Sequence, residues 1–160
     1  GSEFFFTIPF VTDEFDNIEK MMLTASIPEA GEQTLAGRTI LIVEDTKDIR
    51  LYFESILNRA GARTFFATTA KEARKIFRQE KNIDLVLLDI RLPDSDGYNL
   101  ALEFKRSRPH LPIIAQTAYA LQSELNKSIA SGCDDYITKP LDSDALYGKI
   151  HKLLDENSDK

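Results

Sequence analysis

The chain has 160 residues at 18.1 kDa, 42% of them hydrophobic and 29% charged, which suits one globular domain with a segment to spare and argues against disorder throughout. Its formal charge of −6 disfavours nucleic-acid recognition by a broad basic surface, and no apolar run approaches the roughly 18 residues that would span a bilayer. A single cysteine, Cys133, excludes an internal disulfide and a cysteine zinc cluster; His110 and His151 are too far apart to suggest a metal site; and no basic-then-apolar leader opens the chain.

Phe4, Phe6 and Ile8 alternate as a half-buried strand should. Residues 11–38 then read as an acidic linker. Residues 1–38 hold seven acids against two bases, and Pro28, Gly31 and Gly37 interrupt any sustained period. A solvated connector is the plainer reading of this stretch; docking through Met21, Met22 and Leu23 is the alternative. From Thr39 the pattern changes. Thr39–Val43 is a β-branched, apolar strand. Lys47–Arg59 places Ile49, Phe53, Ile56 and Leu57 at helical spacing before Gly61. Arg63–Ala67 reads as a second strand, and Thr68 or Thr69 can cap a helix to about Gln79 with Ala70, Ala73, Ile76 and Phe77 on one face. Leu85–Leu88 is continuously apolar, as a strand covered on both sides should be. A helix over Tyr98–Arg106, capped by Asp94 or Ser95, a strand over Pro112–Gln116, a helix over Leu121–Ser131, a strand over Tyr136–Thr138 and a helix over Ser143–Leu154 follow. Repeated strand–helix units with short loops imply a parallel α/β sheet with helices on both faces, since parallel crossovers are right-handed and return through a helix.

Such sheets place chemistry beyond the carboxyl ends of their strands. There the sequence offers Glu44-Asp45, Asp89, Thr117-Ala118 and Lys139-Pro140. Crowded carboxylates repel unless a cation neutralises them, and Mg²⁺ suits an all-oxygen set that includes a phosphate oxygen. A lysine and a hydroxyl beside it would serve as donors to phosphate oxygens.

The stretches Ile40-Leu41-Ile42-Val43-Glu44-Asp45, Asp84-Leu85-Val86-Leu87-Leu88-Asp89-Ile90-Arg91-Leu92-Pro93, Gln116-Thr117-Ala118 and Gly132-Cys133-Asp134-Asp135-Tyr136-Ile137-Thr138-Lys139-Pro140 occur in order at those strand ends. Together, residues 39–155 resemble the receiver domain of two-component response regulators. The resemblance implies a flavodoxin-like, doubly wound (βα)₅ fold with strand order 2-1-3-4-5. It implies that Asp89 is the phosphoacceptor of a phosphorelay, and that Mg²⁺ is held by Glu44, Asp45, Asp89 and the backbone carbonyl of Arg91. It further implies that Lys139 and Thr117 contact the phosphoryl group, that Tyr136 is an aromatic switch partner of Thr117, and that Pro140 follows a cis bond. Phosphorylation would then reshape the face made by the fourth helix, the fifth strand and the fifth helix. Arg91 and Tyr119 would border the phosphoryl group, and a bulky Tyr119 would obstruct the hydrolytic water and lengthen its lifetime.

Gly1-Ser2-Glu3-Phe4-Phe5-Phe6-Thr7-Ile8-Pro9-Phe10 is similar to the last strand of a histidine kinase ATP-binding domain, although its first four residues also fit a cloning scar. That similarity implies the receiver of a hybrid sensor histidine kinase, without the kinase's catalytic segments, followed by a polar tail at 156–160. The expected partners are a phosphohistidine-bearing kinase domain, in the same chain or another, or a histidine phosphotransfer domain. A weak homodimer is compatible with this reading. Contact with nucleic acid or membrane is not expected, and the expected location is the cytoplasm, with a parent chain that an inner-membrane anchor would suit.

Two rivals are weaker. A haloacid-dehalogenase-like phosphatase wants a second aspartate two positions after its nucleophile, where this chain has Arg91. A pseudo-receiver that only binds proteins predicts loss of a key residue, and Glu44, Asp45, Asp89, Thr117 and Lys139 are all present. Plainer roles suit the remaining polar residues. Asp134 and Asp135 should satisfy a turn, Cys133 should be an inert thiol, and the Lys71, Arg74, Lys75, Arg78 run should be a solvated helix face more readily than a docking patch.

Overall fold

The structure, a computed structural model, describes residues 34–118, 127 and 129–158. Five strands, β1 (Thr39–Val43), β2 (Arg63–Ala67), β3 (Leu85–Asp89), β4 (Ile113–Thr117) and β5 (Asp135–Thr138), form one parallel sheet in the order β2-β1-β3-β4-β5. Among the described residues four helices accompany it: α1 (Lys47–Arg59), α2 (Ala70–Gln79), α3 (Gly97–Ser107) and α4 (Ser143–Ser158). The helix expected over Leu121–Ser131 lies almost wholly outside the described residues.

Alternation along the strands sorts the core into two layers. In β1, Ile40 and Ile42 join Phe53 and Leu57 of α1 and Leu146 and Ile150 of α4 on one face. Leu41 and Val43 join Phe77 of α2 and Leu100 and Phe104 of α3 on the other. Phe77 and Phe104 stack with ring centroids 4.0 Å apart, locking α2 to α3. Each such fully buried side chain contributes about 1.5–3 kcal/mol from area removed from water.

Local chemistry sets the helix ends. Thr69 caps α2, its hydroxyl accepting the Glu72 N–H at 3.1 Å, while the Glu72 carboxylate accepts the Thr68 N–H at 2.7 Å. Gly61, at φ 85°, closes α1 by donating to Asn58 O. The cap of α3 differs from expectation. Asp96 fills that place, accepting the Tyr98 N–H at 2.9 Å. Asp94 instead reaches across 24 residues and accepts the N–H groups of Ala70 at 2.7 Å and Lys71 at 3.0 Å at the start of α2.

Leu35, counted with the linker, is buried in the core beside α1, and its N–H donates to Ala60 O at 2.9 Å. The last helix continues through the first residues assigned to the polar tail, to Ser158. Residues 1–33 lie outside the described residues, so the strand expected at 1–10 does too. No described helix is long and apolar enough to cross a membrane.

Candidate phosphoacceptor site

Three of the parallel strands deliver the site. β1 runs directly into Glu44 and Asp45, β3 ends on Asp89, and β5 runs into Lys139. Because β1 and β3 are neighbours in register, with Val43 opposite Leu88, their terminal acids emerge side by side. Carboxylate oxygens of Glu44, Asp45 and Asp89 all lie within 4.8 Å of one another. Glu44 is fully buried and Asp89 is 6% exposed, whereas Asp45 faces solvent.

Lys139, following β5 two strands beyond β3, closes this cluster. Its Nζ donates to Glu44 Oε2 at 2.8 Å and to Asp89 Oδ2 at 2.6 Å. Burial works against the ammonium's charge, but the two carboxylate bonds outweigh it and hold the Lys139 pKa above the ordinary lysine value. Burial pushes the Glu44 carboxyl up, and the hydrogen bond from Lys139 offsets only part of that rise. The other oxygen of Asp89, Oδ1, accepts the backbone N–H of Arg91 at 2.9 Å, which fixes the plane of the carboxylate. The Lys139–Pro140 peptide is cis.

A cleft of about 70 Å³ opens beside Asp89 and is lined by Arg91, Gln116, Thr117 and Lys139 among others. Thr117 is 8% exposed, and its carbonyl accepts the Lys139 N–H at 2.8 Å. Tyr136 is half-buried against the α2–α3 layer, with the Lys149 ammonium 5.3 Å from its ring centroid. Tyr119, expected to border the phosphoryl group, lies outside the described residues. Gln116 was not anticipated. Its side chain is fully buried one residue before Thr117, and neither amide atom has a hydrogen-bond partner among the described residues. Its position in a buried strand was the available signal.

The donor set fits a hard divalent cation. Three carboxylates face one ammonium, so the cluster keeps a net negative charge, and its oxygen ligands suit Mg²⁺. Asp134 and Asp135, expected to satisfy a turn, instead tie separate elements together. Asp134 accepts the Ile113 N–H at 2.8 Å and pairs with Lys105 at 2.6 Å, and Asp135 pairs with Lys149 at 2.7 Å. Cys133 is buried, which pushes its thiol pKa up.

Comparison with known proteins bears on the family and the fold. The family model described as the response regulator receiver domain matches residues 40–151. The chain is 35% identical over 114 residues to the heme response regulator HssR of Staphylococcus epidermidis, covering 71% of this chain and 50% of that protein. It is 32% identical to the aerobic respiration control sensor protein ArcB of Escherichia coli, covering 100% of this chain and 20% of that protein. The solved receiver domain protein (CheY-like) from Methanospirillum hungatei superposes with a TM-score of 0.72 at 34% identity, over 76% of this chain and 97% of that one. The chain spans half or less of the length of these curated relatives.

Proposed function

The chain belongs to the receiver-domain family of response regulators, and from that membership we propose that Asp89 accepts a phosphoryl group from a phosphohistidine in a two-component phosphorelay. The observation that carries this reading is the Asp89 carboxylate at its strand end, with Lys139 Nζ at 2.6 Å and the oxygens of Glu44 and Asp45 within 4.8 Å. A carboxylate oxygen of Asp89 attacks phosphorus, the phosphorus–nitrogen bond breaks, and the departing imidazole takes up a proton. Catalysis of such a transfer rests on alignment and charge neutralisation. The Arg91 N–H holds the nucleophile in one plane, and Lys139 stabilises charge on the phosphoryl oxygens. Glu44, Asp45, Asp89 and the Arg91 carbonyl would hold Mg²⁺, which supplies further neutralisation when bound. Thr117, lining the same cleft, donates its hydroxyl to the attached group. Tyr136 follows the movement of Thr117, and Tyr119 and Arg91 set how long the acyl phosphate lasts. The altered face would be read by a partner that prefers one of the two states.

The wider setting is a hybrid sensor histidine kinase, with 1–10 as the end of its ATP-binding domain and the acidic linker as the tether. The match to ArcB over the whole of this chain favours that setting over a free-standing regulator. Donor and recipient are then a kinase phosphohistidine domain or a histidine phosphotransfer domain, in the cytoplasm.

Incubation with a small phosphodonor and Mg²⁺, read by intact mass, tests the site. One phosphoryl mass gain is expected in the native chain and none in Asp89→Ala. Gain in both proteins removes Asp89 from the role, and undiminished gain under a chelator removes the metal. Transfer from a phosphorylated phosphotransfer domain onto Asp89 tests the relay, and a lack of it beside normal small-donor labelling overturns that partner class.

A further inference from the structure

At the amino edge of the sheet, away from Asp89, a groove of about 220 Å³ separates α2 from α3. Arg74, Arg78, Lys81 and Arg108 line it, and Glu103 is the only acid among the described residues that do. Glu103 is already engaged by Arg74 at 2.8 Å. Arg108 lies over the Phe77 ring at 4.0 Å and donates through Nη2 to the carbonyls of Phe77 and Glu80. Its Nη1 is buried with no hydrogen-bond partner among the described residues, and such a group is costly to leave unsatisfied. Arg108 also borders a shallow second cavity of about 280 Å³, whose floor is Ile83, Leu111 and Pro112 with Pro109 at its rim. A basic groove and an apolar shelf therefore adjoin and share one arginine.

The described chain begins at this same edge. Asp84, which lines the shelf, accepts the Thr39 N–H at 2.7 Å and pairs with Arg38 at 3.7 Å. Arg63, whose N–H donates to Arg38 O, pairs with Glu80 at 3.9 Å. The segment ahead of residue 34 is of opposite charge. Asp13, Glu14, Asp16 and Glu19 precede Met21-Met22-Leu23, and Glu29 and Glu32 follow it. The stretch from Leu23 to Thr34 can extend up to about 36 Å, more than twice the roughly 15 Å length of α2.

The geometry points to this acidic segment of the chain itself, residues 13–32, as the occupant: its carboxylates meet the exposed Arg78 and Lys81, and Met21-Met22-Leu23 covers the shelf. The tether supplies an effective concentration that a separate acidic peptide lacks, so individually weak ion pairs suffice. The result is a receiver held against its own connector, which limits where an attached upstream domain can sit. The docking does not depend on the chemistry at Asp89.

Hydrogen exchange of the full chain, read by mass spectrometry, tests it. Amides of residues 18–24 should exchange about fivefold more slowly in the native chain than in the double variant Arg78→Glu, Lys81→Glu, and about 0.5 M salt should remove most of that difference. Adding Asp16→Lys and Glu19→Lys to the double variant should restore protection. Equal exchange in the native chain and the double variant would overturn the proposal. So would protection that grows with protein concentration, because a second copy would then be the occupant. Both substituted positions are exposed, so labelling at Asp89 in the double variant should match the native rate and report an intact fold.

Discussion

Lys139 joins Asp89 and Glu44 through a single ammonium, 2.6 Å from one and 2.8 Å from the other, across 50 and 95 residues of chain. Glu44 has no exposure to water, so its charge is tolerable only while that partner or a cation stands beside it.

Lys139→Ala should therefore destabilise the metal-free protein. We expect a loss of about 2–3 kcal/mol, below the upper range for wholly buried pairs because the Lys139 side chain is 20% exposed. Urea unfolding in chelator measures it, and an unchanged midpoint would refute the assigned partnership. Phosphoryl uptake should fall alongside.

Asp94 gives a pH-dependent signature. The N–H of Ala70, followed by that of Lys71, holds its carboxyl below the usual aspartate value despite exposure to solvent. A carboxyl depressed in the folded state contributes stability above its unfolded value, near 3.9, and loses it as pH falls through the folded value. The melting temperature of Asp94→Asn should lie below native at pH 7, and the gap should narrow as pH drops below about 4. A gap independent of pH would show that the carboxylate's charge plays no part.

Gln116 should be improvable. A buried amide with no partner among the described residues loses its hydration without recompense there, whereas methionine fills similar volume without that demand. Gln116→Met is expected to raise stability by about 1 kcal/mol in urea unfolding. A loss of comparable size would show that the amide is satisfied in solution.

Gly97→Ala should be severe. An added Cβ would lie 2.5 Å from the Asp89 carbonyl oxygen and 2.7 Å from Ile90 Cα, both backbone atoms that cannot swing aside. A cost of about 3 kcal/mol is expected from such overpacking, with slower labelling because the backbone that moves carries Asp89. Native-like stability in thermal melts would contradict this contact.

Much of the fold was legible because each element announces itself locally. Thr39–Val43, Lys47–Arg59 and Arg63–Ala67 have the expected limits, since β-branched runs and helical apolar spacing need no distant partner. The grouping of Glu44, Asp45, Asp89 and Lys139 was legible because parallel strands put their carboxyl ends on one edge. What escaped depends on packing. Asp94 spends its carboxylate on a helix 24 residues away, leaving the cap of its own helix to Asp96. Leu35 looked like linker because its neighbours are polar, yet it fills a place beside Ala60 that only the folded domain creates. The burial of the Gln116 amide, without a partner among the described residues, likewise arises only once β4 is covered on both faces.

The placement of Leu35 has a mechanical consequence. Leu35 and the Thr39–Asp84 bond moor the chain at one end of β1, and Glu44 and Asp45 emerge from the other, about 17 Å away at the usual rise per residue. β1 is flanked by β2 and β3, so a pull directed along β1 would load two hydrogen-bonded ladders in shear. The anchor of the chain and the phosphoacceptor pocket thereby sit at opposite ends of one strand.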